Sequence, residues 1–226
     1  MRTTFLSPAA AVERLRSIRI VPVITIDDPL DAVPLGRALA EGGLPCAEIT
    51  FRTPRAGEAL RRVAGEVPEL FVGAGTVLSP EHAARAIDAG AQFIVAPGFG
   101  PRVVDYCLER GIPVYPGIAT PTEIEAALEK GLRTLKLFPA EQMGGVGYLK
   151  AIAAPYVDVS FMPTGGINLG NVAQYLAVKR VVACGGSWMA PADWIAAKQF
   201  ERIREAAAQA AEAAQGTNAG AAAGVA

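Results

Sequence analysis

Thr134-Leu135-Lys136-Leu137-Phe138-Pro139-Ala140 reads as a short strand with a lysine at its centre. Side chains alternate along a strand, so Thr134, Lys136 and Phe138 share one face and Leu135 and Leu137 the other. Two leucines suit a face covered by helices. Lys136 then points to the side the strand encloses, and lysine is seldom fully buried unless it is paired or at work. Two readings stay open on this stretch alone. Either Lys136 is desolvated and becomes a nucleophilic amine near neutral pH, or it stands at a strand end and reaches solvent.

Outward from this strand the chain repeats one rhythm of strand, turn and helix. Apolar, β-branched runs predict strands over 18–26, 46–51, 70–77, 92–97, 113–118, 134–138, 157–163 and 181–184. Helical patterns fall between them, over 29–41, 55–66, 80–89, 101–110, 121–130, 147–153 and 170–177. Several open with proline, which suits a first helical turn. Gly42, Gly90, Gly111 and Gly131 stand where left-handed caps are expected. A short amphipathic helix over 8–17 precedes the rhythm, and an alanine-rich helix over 191–215 follows it. Strands alternating with helices make parallel β/α units. Eight of them favour a closed α/β (β/α)8 barrel over an open doubly wound sheet. The 226 residues leave room for a lean one, since such barrels typically take roughly 250. The expectation is a single barrel domain over 1–215 and a disordered tail over 216–226.

Composition narrows the chemistry. With 21 basic and 22 acidic residues the net charge is -1, so neither nucleic acid nor an acidic membrane surface is an expected partner. No run approaches the ~20 apolar residues of a membrane helix, and the first residues carry no convincing leader pattern. The expectation is a soluble, cytoplasmic protein. Cys46, Cys107 and Cys184 form no CxxC pair and read as reduced thiols. The one histidine, His82, follows Ser79-Pro80-Glu81 and reads as a surface residue in a first helical turn. A single histidine rules out a His-rich metal site within one chain and argues against a Ser-His-Asp triad.

In a barrel of this kind the site lies at the C-terminal ends of the strands. Those ends are rich in polar residues and glycine: Glu48-Ile49-Thr50-Phe51-Arg52, Gly75-Thr76, Pro97-Gly98, Lys136-Leu137-Phe138, Thr164-Gly165-Gly166 and Gly185-Gly186-Ser187. By parity Glu48, Thr50 and Arg52 share the enclosed face, with Ile49 and Phe51 behind. Arginine holds a carboxylate by two parallel hydrogen bonds, and a glutamate beside it moves protons. The alternative is an internal Glu48–Arg52 ion pair. Thr76 offers a hydroxyl to a ligand or merely caps a turn. The glycine pairs end the seventh and eighth strands, where barrels bind phosphate through exposed N–H groups; tight turns are the alternative. Gly144-Gly145-Val146-Gly147 reads as a helix entry, and no dinucleotide fingerprint is present. Together these residues suit a phosphorylated 2-keto acid. Lys136 would form a Schiff base with the keto group, and Arg52 and Thr76 would hold the adjacent carboxylate. The iminium is an electron sink, so the bond between carbons three and four can break in retro-aldol fashion without a metal.

Six ordered stretches carry a resemblance. They are Glu48-Ile49-Thr50-Phe51-Arg52-Thr53, Val72-Gly73-Ala74-Gly75-Thr76-Val77, Pro116-Gly117-Ile118-Ala119-Thr120-Pro121, Lys136-Leu137-Phe138-Pro139-Ala140-Glu141, Pro163-Thr164-Gly165-Gly166-Ile167 and Gly185-Gly186-Ser187-Trp188. Through them the chain resembles the bacterial 2-keto-3-deoxy-6-phosphogluconate (KDPG) and 4-hydroxy-2-oxoglutarate (KHG) aldolases, class I enzymes of the Entner–Doudoroff pathway. The resemblance covers about 20–188 and implies a (β/α)8 barrel, usually a homotrimer, with no cofactor and no metal. It implies Lys136 as the Schiff-base lysine and Glu48 as the general acid/base, acting through a water. Arg52 and Thr76 would bind the pyruvate carboxylate, and Pro97 and Phe138 would shape the pocket. Thr164, Gly165, Gly166, Gly186 and Ser187 would receive the phosphate. The family often has leucine at Phe51 and serine at Ala119. Alternatives within the class are cleavage of KHG or of the galactonate epimer. Outside it stands a non-catalytic phosphosugar-binding barrel, which would not need Lys136, Glu48 and Arg52 together. A metal-dependent aldolase fits a one-histidine chain poorly.

Overall fold

Parallel pairing runs through every strand ladder of this computed structural model, which describes residues 5–222, with side chains to 216. The order is α1 (Pro8–Ile18), β1 (Ile20–Ile24), a 3-10 turn (Pro29–Asp31), α2 (Ala32–Glu41), β2 (Cys46–Thr50), α3 (Ala56–Glu66) and β3 (Phe71–Gly75). Next come α4 (Pro80–Asp88), β4 (Ile94–Val95), α5 (Pro101–Glu109), β5 (Val114–Tyr115), β6 (Gly117–Ile118), α6 (Pro121–Glu129) and β7 (Thr134–Leu137). The rest is α7 (Gly145–Ala153), β8 (Ser160–Phe161), α8 (Val172–Leu176), β9 (Cys184–Gly186), α9 (Ala192–Ala196) and α10 (Phe200–Ala222). Helix starts follow from local chemistry. Ser7 and Ser79 accept from backbone N–H groups three residues on, and Thr120 forms a capping box with Glu123, each with a proline next in sequence.

One sheet has the order β5-β4-β3-β2-β1-β9 and a second the order β6-β7-β8. Isolated parallel bridges, Phe161 to Val181 and Thr164 to Gly185, join the β8 and β9 regions. The eight expected strands therefore appear as nine short ones. The strand expected over 113–118 divides at Pro116, which has no N–H for the ladder although its carbonyl still accepts from the Lys136 N–H. The last strand pairs later than expected, from Cys184 to Gly186. The helix expected over 191–215 is two, broken where Lys198 takes a left-handed φ of 54°.

Gly42 is not left-handed; Gly43 is, at φ 84°. Gly42 is small for a different reason, since a Cβ there would lie 2.6 Å from the Ala207 Cβ of α10. Helix α10 itself extends to Ala222, into the tail expected over 216–226; alanine has the highest helix propensity. The last part of that expected tail, 223–226, lies outside the described residues.

The strands separate two apolar layers. Ile24, Ile49, Leu135 and Leu137 pack under the surrounding helices, as their parity predicts. On the opposite side Val21, Cys46, Phe71, Phe93, Tyr115 and Met162 meet Ala11 and Leu15 of α1. Helix α1 thus covers the N-terminal ends of the strands. The Phe71 and Phe93 rings lie 4.8 Å apart by centroid, and Phe93 and Tyr115 6.0 Å. Burying a side chain of this kind stabilises by roughly 1.5–3 kcal/mol. This apolar plug fills one end of the space between the two sheets and leaves the other for polar groups. Among the described residues no helix is long and apolar enough to cross a membrane, and no group of three His, Cys, Asp or Glu could hold a metal ion.

Candidate active site

Burial selects the site. The buried polar or charged residues described are Asp31, Glu48, Thr50, Lys136 and Thr164, and all but Asp31 stand at or just past the C-terminal halves of strands. Lys136 is 4% exposed and Glu48 1%. The Lys136 Nζ donates to Glu48 Oε1 at 3.3 Å. Strands β2 and β7 belong to different sheets, so this pair spans the space between them. Glu48 Oε2 is buried and has no hydrogen-bond partner among the described residues. Such an atom is rare in a folded protein and calls for a ligand, a water or a proton. Strand β3 makes the room: a Cβ on Gly75 would collide with the Glu48 carboxylate.

Arg52 does not pair with Glu48. Its Nε donates to Thr76 Oγ1 at 3.1 Å, which leaves the terminal guanidinium nitrogens for another acceptor. Thr76 has φ 56°, an outlier for a β-branched residue. Strain of this kind costs about 1–3 kcal/mol and gathers at functional sites. Here it lets β3 end with the hydroxyl turned to Arg52. Thr50, whose role the sequence left unassigned, ties β2 to β1 by donating to the Ile24 carbonyl at 2.9 Å. The Phe138 ring centroid lies 5.4 Å from Nζ, within cation–π range.

Above the pair opens a cavity of about 280 Å³ whose wall brings together Arg52, Phe138, Thr164, Gly165, Gly166, Gly186 and Ser187. Lys136 and Glu48 are buried away from its wall, and Thr76 reaches it through Arg52. Pro97 is half-buried and off the wall. Its carbonyl occupies the place of a Cβ on Gly117, which pairs in register with Lys136. A larger cavity, about 400 Å³, lies at the opposite end between α1 and α5, lined by Val12, Leu108 and Leu132 among others. It is far more apolar and remote from the buried polar set, so chemistry and not size marks the site.

The glycine loop has its carbonyls held on one side. Gly165 and Gly166 have φ of 101° and 77°. The Thr164 carbonyl accepts from the Ala140 N–H at 2.8 Å and the Gly165 carbonyl from the Glu141 N–H at 3.1 Å. The Gly166 carbonyl accepts from the side-chain amides of Asn171 at 3.1 Å and Asn168 at 3.3 Å. A trans peptide points its N–H away from its carbonyl. With three carbonyls tied back, the N–H groups of Gly165, Gly166 and Ile167 turn the other way, as in an anion-binding nest. The sequence reading missed Asn168 and Asn171; two asparagines three apart after Gly-Gly were the available signal.

A family model described as KDPG and KHG aldolase matches residues 11–206. The chain belongs to the KDPG and KHG aldolase family. A 2-dehydro-3-deoxy-phosphogluconate aldolase of Treponema pallidum is 53% identical over 191 residues, covering 84% of this chain and 91% of that one. The KHG/KDPG aldolase of Escherichia coli K12 is 45% identical over 196 residues, 87% of this chain and 92% of that one. Among solved structures, a Legionella pneumophila KDPG aldolase is 36% identical with a TM-score of 0.85, covering 90% of this chain and 97% of that one. That structure holds pyruvate captured at low pH as a covalent carbinolamine intermediate. The KDPG/KHG aldolase match ends at residue 206, so the remainder of α10 lies beyond it.

Proposed function

We propose that this chain is a class I aldolase that cleaves 2-dehydro-3-deoxy-6-phosphogluconate to pyruvate and glyceraldehyde 3-phosphate through a Schiff base on Lys136. The observation that carries the reading is the buried Lys136–Glu48 pair, 3.3 Å apart, beside a cavity with an arginine and a glycine nest in its wall. The buried amine passes a proton to Glu48 and adds to the keto carbon. Loss of water, with protons relayed by Glu48, gives the iminium. The bond between carbons three and four then breaks and its electrons move to the nitrogen as an enamine. Glu48 takes the proton of the hydroxyl on carbon four as the aldehyde leaves. It returns that proton to carbon three, and water frees pyruvate from the lysine.

Arg52 and Thr76 hold the carboxylate, Phe138 and Pro97 bound the keto end, and Thr164, Gly165, Gly166, Gly186 and Ser187 receive the phosphate. Cleavage of 4-hydroxy-2-oxoglutarate to pyruvate and glyoxylate is a second activity of the same site, favoured by the likeness to the KHG/KDPG aldolase of Escherichia coli. We take the two sheets as one closed (β/α)8 barrel. The bridges between the β8 and β9 regions and the single interruption at Pro116 support this. We further take the assembly as a homotrimer, in line with the resemblance and with exposed apolar side chains such as Leu30, Leu78 and Val157. A cytoplasmic location accords with three free cysteines.

The test is reductive trapping with pyruvate and borohydride, followed by digestion and mass spectrometry. The expected adduct is on Lys136, absent in Lys136→Ala together with the activity. An adduct scattered over Lys130, Lys150 and Lys179 would sink the assignment.

A further inference from the structure

We propose that Glu141 and Tyr175 are positioning residues for the phosphate nest, and that their hydrogen bond sets the preference for phosphorylated over unphosphorylated substrates. The proposal rests on the reading of the site given above and adds two residues that do not themselves line the cavity.

Glu141 lies on the turn after β7, and its backbone N–H holds the Gly165 carbonyl. Its Cβ and Cγ lie where a side chain on Gly166 would have to go, so the loop is packed directly on it. Its carboxylate Oε1 accepts from the Tyr175 hydroxyl on α8. The same oxygen is 3.1 Å from the position a Cβ would take on Gly145, the first residue of α7. Tyr175 is buried in the helix-side core, where burial first and then the Glu141 carboxylate push its phenol up, so it stays a donor.

An acid packed against an anion site needs an explanation. A carboxylate free to turn would oppose a bound phosphate and would compete for the N–H groups of Gly165, Gly166 and Ile167. Tyr175 holds it on the far side of the loop, at the start of α7, where peptide dipoles favour negative charge. Removing the hydroxyl frees the charge. Neutralising the charge removes the competitor and keeps an oxygen that can still accept.

The experiment compares Tyr175→Phe, Glu141→Gln and the double variant with the unsubstituted enzyme. Tyr175→Phe keeps the buried ring. It is expected to raise KM for the phosphorylated substrate, and to weaken inhibition by inorganic phosphate, by about tenfold, as for loss of a hydrogen bond to a charge. Pyruvate trapping on Lys136 and cleavage of 4-hydroxy-2-oxoglutarate, which carries no phosphate, are expected to hold. Glu141→Gln alone is expected to keep phosphate affinity, and in the double variant to restore it. Equal loss on both substrates, unchanged phosphate affinity in Tyr175→Phe, or no rescue in the double variant overturns the proposal. If the unsubstituted chain forms no Lys136 adduct, the reading of the site has failed instead. Calorimetric titration of inorganic phosphate into the same proteins then still decides the role of Glu141 and Tyr175.

Discussion

The two oxygens of Glu48 have different surroundings, which suits the proton-carrying role proposed for it. Oε1 faces the lysine at 3.3 Å, whereas Oε2 is buried without a partner. Leaving a charged acceptor unsatisfied costs at least about 1–3 kcal/mol, a cost that persists where the atom receives a proton during turnover. Glu48→Gln preserves shape and removes that capacity. We expect kcat to fall by roughly 10²–10⁴-fold with KM little changed, while the pyruvate adduct on Lys136 still forms, only more slowly. Rapid-quench trapping against steady-state rates reads both; an unaltered kcat would remove Glu48 from proton transfer. Alternation along two strands made Lys136, Glu48 and Arg52 legible in the sequence, because parity needs no knowledge of partners. The same reasoning left a Glu48–Arg52 pair open. Only the left-handed Thr76, which parity cannot foresee, explains why Arg52 turns away.

At the scale of an element, β3 shows how a strand shapes a site by leaving side chains out. Gly73 and Gly75 fall on the enclosed side. A Cβ on Gly73 would meet the Phe93 ring, and one on Gly75 would meet the Glu48 carboxylate. The two substitutions should therefore part company. Gly73→Ala overpacks the apolar plug and is expected to lower stability by about 1–3 kcal/mol. Gly75→Ala displaces Glu48, and a shift near 1 Å can cost about 10²-fold in rate. Melting curves and kcat on both variants would separate them, and equal effects on both observables would refute the division. Helices were read well because proline and glycine punctuate them locally. Strand limits were read less well. Pro116 interrupts the ladder within an apolar run, and β4, β5, β6 and β8 keep only two residues each in regular pairing. Those limits depend on neighbours distant in sequence, as does the use of Gly42 to seat α10.

For the whole molecule the two apolar layers take up all three thiols, Cys46 in the plug under α1 and Cys107 and Cys184 in the helix-side layer. Cys46, Cys107 and Cys184 are free and buried. Burial pushes the Cys107 thiol up to about 12 and those of Cys46 and Cys184 higher still. An unfolded chain releases these protons near the ordinary thiol value of about 8.5, whereas the folded chain keeps them. Their contribution to stability is therefore complete below that pH and is lost as pH rises toward the folded values. The slope is about 1.4 kcal/mol per pH unit for each thiol. Buried Tyr115 and Tyr175 are raised too, and act in the same direction. Replacing the three cysteines by alanine isolates the thiols. The urea midpoint of the unsubstituted protein should fall from pH 9 to 11 more steeply than that of the variant. Native thiol labelling at pH 8 should proceed no faster than unfolding. Rapid labelling of any of the three would mean that the interior opens without global unfolding, and parallel pH slopes would mean that the thiols are already free to ionise in the folded chain.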